Sequence, residues 1–200
     1  MLIFWDQRLA LLATPKTGTT AIAAALESLA DVSIQRPPEL KHTPARRFRR
    51  FLAPFLEQVA AEPFTLVGVM REPRDWLSSW YRYRQRSGMV NKQNSTQGIS
   101  FDAFVQAYCT EKPPAYAAVG SQATFLRPAN AEGADTLFRH DRIGGLVRFL
   151  EDRLNFEIIL PQLNVSPKRD TELSVETAGL LQGFAARDFA LYAEVCRSNP

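Results

Sequence analysis

Short apolar runs rich in β-branched residues alternate with helical stretches along the chain. That alternation predicts an α/β fold with a largely parallel sheet. Two other observations support it. The 200 residues suit a single domain that buries roughly 70% of its unfolded surface. A tight Gly/Thr loop also joins an early strand to an Ala/Leu-rich helix, which is how α/β units start.

Taken in order, residues 2–5 and 9–14 are apolar runs that read as strands, the second ended by Pro15. Residues 22–30, IAAALESLA, form a helix, and residues 32–35 a further short strand. Pro37-Pro38 marks a loop. Residues 45–60 place Phe48, Phe51, Leu52, Phe55, Leu56 and Val59 at helical spacing, with a kink expected at Pro54 and the phenylalanines expected on a core face. Residues 64–70, FTLVGVM, are a buried strand. Pro73 and Asp75 then open a helix to about Arg86. Residues 87–99 are polar and nonperiodic and read as a mobile loop. Ser100 caps a helix over FDAFVQAYCT. Residues 136–139 are a strand, residues 142–154 a helix and residues 161–170 a loop. Ser174 caps a last helix that runs to about Cys196.

Composition excludes several classes. Hydrophobic residues make up 46% and charged residues 22%, so the chain is neither disordered, collagen-like nor a disulfide mini-scaffold. No apolar run approaches the ~20 residues of a membrane span, and Asp6 and Arg8 interrupt the N-terminal segment, making it a poor signal peptide. Two distant cysteines point to a reduced, cytoplasmic protein. Two histidines are too few for a histidine-rich metal centre, and no metal site is expected. The net charge is +3, but residues 41–86 hold ten cations against four anions, a local +6. Local positive charge calls for an anionic partner.

Residues 15–20, Pro-Lys-Thr-Gly-Thr-Thr, lie between a strand and a helix, where loop amides and the helix N-terminus favour anions. Lys16 adds a point charge, and Thr19 and Thr20 add hydroxyl donors. There is no Gly-Lys pair and no G-x-G-x-x-G, so nucleotide-kinase and Rossmann phosphate loops are disfavoured. The segment resembles the P-K-[ST]-G-T-T loop of sulfotransferases that use 3′-phosphoadenosine 5′-phosphosulfate (PAPS). In that family the loop cradles the donor's 5′-phosphosulfate. A second segment is similar to the family's 3′-phosphate motif, in which a strand ends in Arg and a Ser follows eight residues later. Arg71 and Ser79 have that spacing, and the planar fork of Arg suits phosphate oxygens. Lys41-His42-Thr43-Pro44 resembles the family's K-x-H-x-P segment, whose histidine is the general base, although here Lys directly precedes His.

The resemblance implies a P-loop-like three-layer fold, with a mostly parallel central sheet flanked by helices, in one domain over residues 1–200. It also implies sulfuryl transfer from PAPS to a hydroxyl or amine, leaving 3′,5′-ADP. Lys16 and His42 would be catalytic. Lys16, Thr17, Gly18, Thr19, Thr20, Arg71 and Ser79 would bind the donor, joined by Lys168 and Arg169 from a late basic loop. The acceptor would be a small molecule or carbohydrate. Neither nucleic acid nor membrane is expected as a partner. The Arg139-His140-Asp141 segment looks like a structural element of the family, and His140 is left outside the site. Arg46, Arg47, Arg49 and Arg50 receive no role. A nucleotide-dependent small-molecule kinase, a catalytically silent nucleotide-binding module and a nucleic-acid-binding protein are the competing readings.

Overall fold

Residues 5–8 are too few for a crossover between the first two apolar runs, so β1 (Leu2–Phe4) and β2 (Leu9–Leu11) form an antiparallel hairpin. Leu2 lies opposite Leu11 and Phe4 opposite Leu9. The structure is a computed structural model that describes residues 1–89, 92–161 and 171–198. Three more strands complete a five-stranded sheet: β3 (Val32–Ser33), β4 (Thr65–Met70) and β5 (Thr136–Arg139). Their order is β3-β1-β2-β4-β5. β2, β4 and β5 run parallel, while β1 is antiparallel to both β2 and β3. The sheet is therefore mixed, with its parallel part running from the middle to one edge. The short link after β1 is the reason, because parallel neighbours need a long crossover.

The helices, in chain order, are α1 (Thr19–Leu26), α2 (Pro38–Lys41), α3 (Ala45–Arg47), α4 (Ala53–Ala60), α5 (Pro73–Arg84), α6 (Phe101–Tyr108), α7 (Gln122–Leu126), α8 (Gly144–Leu154), α9 (Val175–Phe184) and α10 (Ala186–Ser198). Two compact units hold these elements. The first comprises Met1–Arg71, Gln122–Leu163 and Ala193–Pro200; the second comprises Glu72–Ser121 and Asn164–Tyr192.

In the first unit, strand alternation sends Leu2, Phe4, Leu9, Leu11, Val67, Val69 and Phe138 to one sheet face. There they pack with Ile22 and Leu26 of α1 and with Leu146 and Leu150 of α8. On the opposite face Gly68 makes room for α7. A Cβ at Gly68 would stand 2.5 Å from Leu126 Cδ2 and 3.1 Å from Leu137 Cδ2. α2 begins within the Pro37-Pro38 pair read from the sequence as loop, and the sequence reading places no element at α7.

Residues 45–60 are helical, with a π-helical turn over Phe48–Leu52 just before Pro54 in the first turn of α4. The expected core face is only partly there. Ala45, Phe48, Ala53 and Leu56 are buried, but Phe51, Phe55 and Val59 are 62%, 68% and 69% exposed. The wider turn is the physical cause. One extra residue per turn rotates the succeeding helix by about 100°, so a stripe drawn at 3.6-residue spacing leaves the core.

In the second unit, Trp76, Leu77 and Tyr81 of α5 form a core with Phe101, Phe104 and Val105 of α6 and with Leu181 and Ala185. Glu72 accepts from Asp75 N at the start of α5, Ser100 from Ala103 N at the start of α6, and Ser174 from Thr177 N at the start of α9. The last two caps match the sequence reading. The single final helix does not, because Ala185 departs from helical geometry (φ −96°, ψ 25°) between α9 and α10. Gly179 and Gly183 weaken helix propensity just ahead of that break. Within the loop 87–99, Thr96 is fully buried, and its hydroxyl donates to Tyr81 O at 2.9 Å.

Replacing Gly68 by Val overpacks the seat of α7. Urea denaturation should show a loss of about 1–3 kcal/mol. Unchanged stability would mean that Leu126 and α7 do not sit against Gly68.

Candidate functional site

The parallel strands β2, β4 and β5 all end on one side of the sheet, as in α/β proteins that bind ligands beyond the carboxyl ends of their strands. Three segments leave those ends: the loop 12–18 after β2, Arg71 after β4, and His140 after β5.

The loop after β2 is sharply folded. Lys16 (φ 65°) and Gly18 (φ 76°) are both left-handed, with Thr17 between them. Alternating conformations of this kind turn successive backbone N–H groups toward one concavity, which suits an anion. Glycine is needed at position 18 for that φ, and the space beside it is taken by His140. The imidazole Cδ2 and Nε2 both lie 3.9 Å from where a Cβ would stand. Two hydroxyls brace the loop from within. Thr17 Oγ1 donates to Thr14 O at 2.9 Å and Thr19 Oγ1 to the same oxygen at 3.5 Å, and both side chains are buried. So Thr17 and Thr19 spend their hydroxyls on the loop, while Thr20 is exposed. Thr19 and Thr20 open α1, whose first backbone bond runs from Ala21 N to Gly18 O at 3.0 Å. The amides of the first helical residues have no intrahelical acceptor and carry the positive end of the helix dipole.

Arg71 is fixed from both sides. Its backbone exchanges two hydrogen bonds with Gln122, whose side chain is 1% exposed. Arg71 N donates to Gln122 Oε1 at 2.9 Å, and Gln122 Nε2 donates to Arg71 O at 2.8 Å. The guanidinium reaches across to the loop, where Nη1 donates to Lys16 O at 3.0 Å. One of the five N–H donors of Arg71 therefore holds the carbonyl of a left-handed residue in place.

His42 follows α2 and approaches the same loop from its N-terminal side. Its Nδ1 lies 2.6 Å from Ala13 O. A carbonyl only accepts, so Nδ1 carries the hydrogen and the lone pair is on Nε2. Burial, reinforced by the neighbouring Lys41 charge, pushes the His42 pKa below its usual 6.5, although the bond to Ala13 O opposes this. The ring is therefore neutral at pH 7, as a general base needs to be.

Of the residues singled out from the sequence, the first unit brings together the loop 15–20, Arg71 and His42. Ser79 belongs to the second unit, where it is buried on α5 at 6% exposure. Lys168 and Arg169 lie outside the described residues. Two residues of this neighbourhood were missed or set aside in the sequence. Gln122 lacks any signal beyond its place at the start of an unrecognised helix. His140 could have been found from its position after a parallel strand. Cys109 and Cys196 are both unpaired, and burial raises the Cys109 thiol to about 11. Comparison with protein-family models, with curated proteins and with solved structures finds no match to this chain.

Histidine side-chain NMR checks the electrostatics of His42. Its titration midpoint is expected below 6.5, with the hydrogen on Nδ1 above that pH. The unfolded chain then binds the proton more readily than the folded one, so His42 subtracts stability as pH falls through about 6.5. A midpoint at or above the usual value, or the Nε2–H tautomer, would contradict this assignment.

Proposed function

We propose that the chain is a PAPS-dependent sulfotransferase built on a P-loop-like version of the three-layer α/β architecture. One observation carries the proposal: Arg71 and His42, 55 residues from Lys16 and 29 from Ala13, both hydrogen-bond the backbone of one loop. The sequence resemblance named these three segments separately, and their meeting at the carboxyl ends of parallel strands supports a shared task.

In this reading PAPS is the donor substrate. The amides at the start of α1 and the Lys16 ammonium receive its 5′-phosphosulfate. The acceptor hydroxyl or amine attacks sulfur in line with the bridging oxygen. The new bond to sulfur forms as the bond to the bridging oxygen breaks, and the electron pair leaves on the 5′-phosphate of 3′,5′-ADP. Lys16 opposes the charge that grows there. His42 Nε2 takes the acceptor's proton, and Ala13 O steadies the imidazolium through Nδ1–H. Arg71 has two parts in the scheme: it braces the loop through Lys16 O and provides positive charge for the 3′-phosphate. Positioning and fixed charge supply most of the rate, as in phosphoryl transfer.

A thermal-shift titration with 3′,5′-ADP, 5′-ADP and ATP tests the reading. At 100 times its dissociation constant a ligand stabilises by about 2.7 kcal/mol. Wild type should prefer 3′,5′-ADP, and Arg71→Ala should lose that preference. Equal binding of all three nucleotides by wild type would overturn the proposal, and preference for ATP would favour a kinase. Binding of 3′,5′-ADP with no turnover of PAPS would leave a silent nucleotide-binding module.

A further inference from the structure

The helical run over residues 45–60 contributes no residue to the candidate site. Its buried side is Ala45, Phe48, Ala53 and Leu56. Its outer side carries Arg46, Arg47 and Arg50, all exposed, followed by Phe51, Phe55 and Val59 at 62%, 68% and 69% exposure. Arg47, Phe51, Phe55 and Val59 follow one another at four-residue steps, so they form a single row along the helix.

The charges on this face are unbalanced. Arg49 is engaged elsewhere, donating to Phe64 O at 3.1 Å and pairing with Asp135. Glu57, the one acid within the helical run, accepts from Phe64 N at 3.0 Å. Among the described residues no carboxylate pairs with Arg46, Arg47 or Arg50. The Arg50 guanidinium lies 5.1 Å from the Phe51 ring centroid, so charge and apolar surface are contiguous.

We propose that this face adsorbs to an anionic lipid bilayer. Guanidinium groups suit lipid phosphates and carboxylates, and a short row of Phe and Val suits the boundary between headgroups and acyl chains. The apolar part of the face is small, on the order of 400–500 Å² for two aromatic side chains and a valine, and three guanidiniums without a carboxylate partner among the described residues make up the rest, which suits a surface that is itself negatively charged. A bilayer needs no complementary groove. A second copy of this chain is disfavoured because it would bring identical arginine clusters together. No helix among the described residues is long and apolar enough to cross a membrane, so the attachment is peripheral. This departs from the sequence-based expectation of no membrane partner.

Vesicle co-sedimentation of the full chain tests the proposal. The probes are phosphatidylcholine vesicles with and without about 30 mol% phosphatidylserine, in about 0.1 M salt. Wild type should pellet with the anionic vesicles alone. The triple change Arg46→Gln, Arg47→Gln, Arg50→Gln should lower partitioning on the order of a hundredfold. The double change Phe51→Ser, Phe55→Ser should lower it by at least about tenfold. These side chains are exposed, so circular dichroism and thermal melting should match wild type in both variants. Wild type remaining in solution would overturn the proposal, as would Phe variants that bind like wild type. A self-association abolished by Phe51→Ser, in a chain that ignores vesicles, would assign the face to a second copy instead.

Discussion

The hydrogen bond from the Arg71 guanidinium to Lys16 O joins the end of β4 to the loop that leaves β2. Lys16 sits in left-handed geometry that a residue with a Cβ does not adopt without cost, so the bond helps offset local strain. Arg71 can serve this way because its own backbone is held by Gln122, and Gln122 is held by the seating of α7 over Gly68. The support therefore runs from a glycine in the middle of β4, through a buried amide, to the conformation of the loop after β2. Each link uses a residue whose chemistry suits its place: no side chain where a helix packs close, an amide with both donor and acceptor, and a cation with more than one donor.

Fixed positive charge and a neutral imidazole meet at that loop. Lys16, Arg71 and the start of α1 are fixed positive groups. His42 is kept neutral by burial and by the neighbouring Lys41 charge. A site that binds a polyanion and also accepts a proton needs this division. A protonated histidine would strengthen anion binding but could no longer act as a base. The Ala13 carbonyl selects the tautomer, so the same stretch of backbone that leads into the loop also orients the imidazole.

Much of this was legible in the sequence because its signals are local. The strand before residue 15, the strand–loop–helix order around residues 15–20, and the caps at Ser100 and Ser174 each depend on a few neighbours. What escaped depends on residues far apart or on helix phase. Gln122 matters through a partner 51 positions away. The exposed row of Phe51, Phe55 and Val59 arises from a π-helical turn, which a 3.6-residue pattern does not register. The hairpin of β1 and β2 was within reach, since a link of residues 5–8 forbids parallel pairing, but alternation of strands and helices pointed to a more parallel sheet. The local excess of arginine over residues 41–86 divides accordingly: Arg71 braces the loop, Arg49 holds Asp135, and Arg46, Arg47 and Arg50 face outward.

We propose the loop over residues 15–20 as the seat of a nucleotide's 5′-phosphate. The most direct measurement is the backbone amide spectrum of 15N-labelled protein as 3′,5′-ADP is added. The largest shifts are expected at Lys16, Thr17, Gly18, Thr19 and Thr20, with a smaller one at Arg71, because these amides meet the ligand or the group that braces it. Saturable binding that leaves those resonances unmoved while others shift would contradict it.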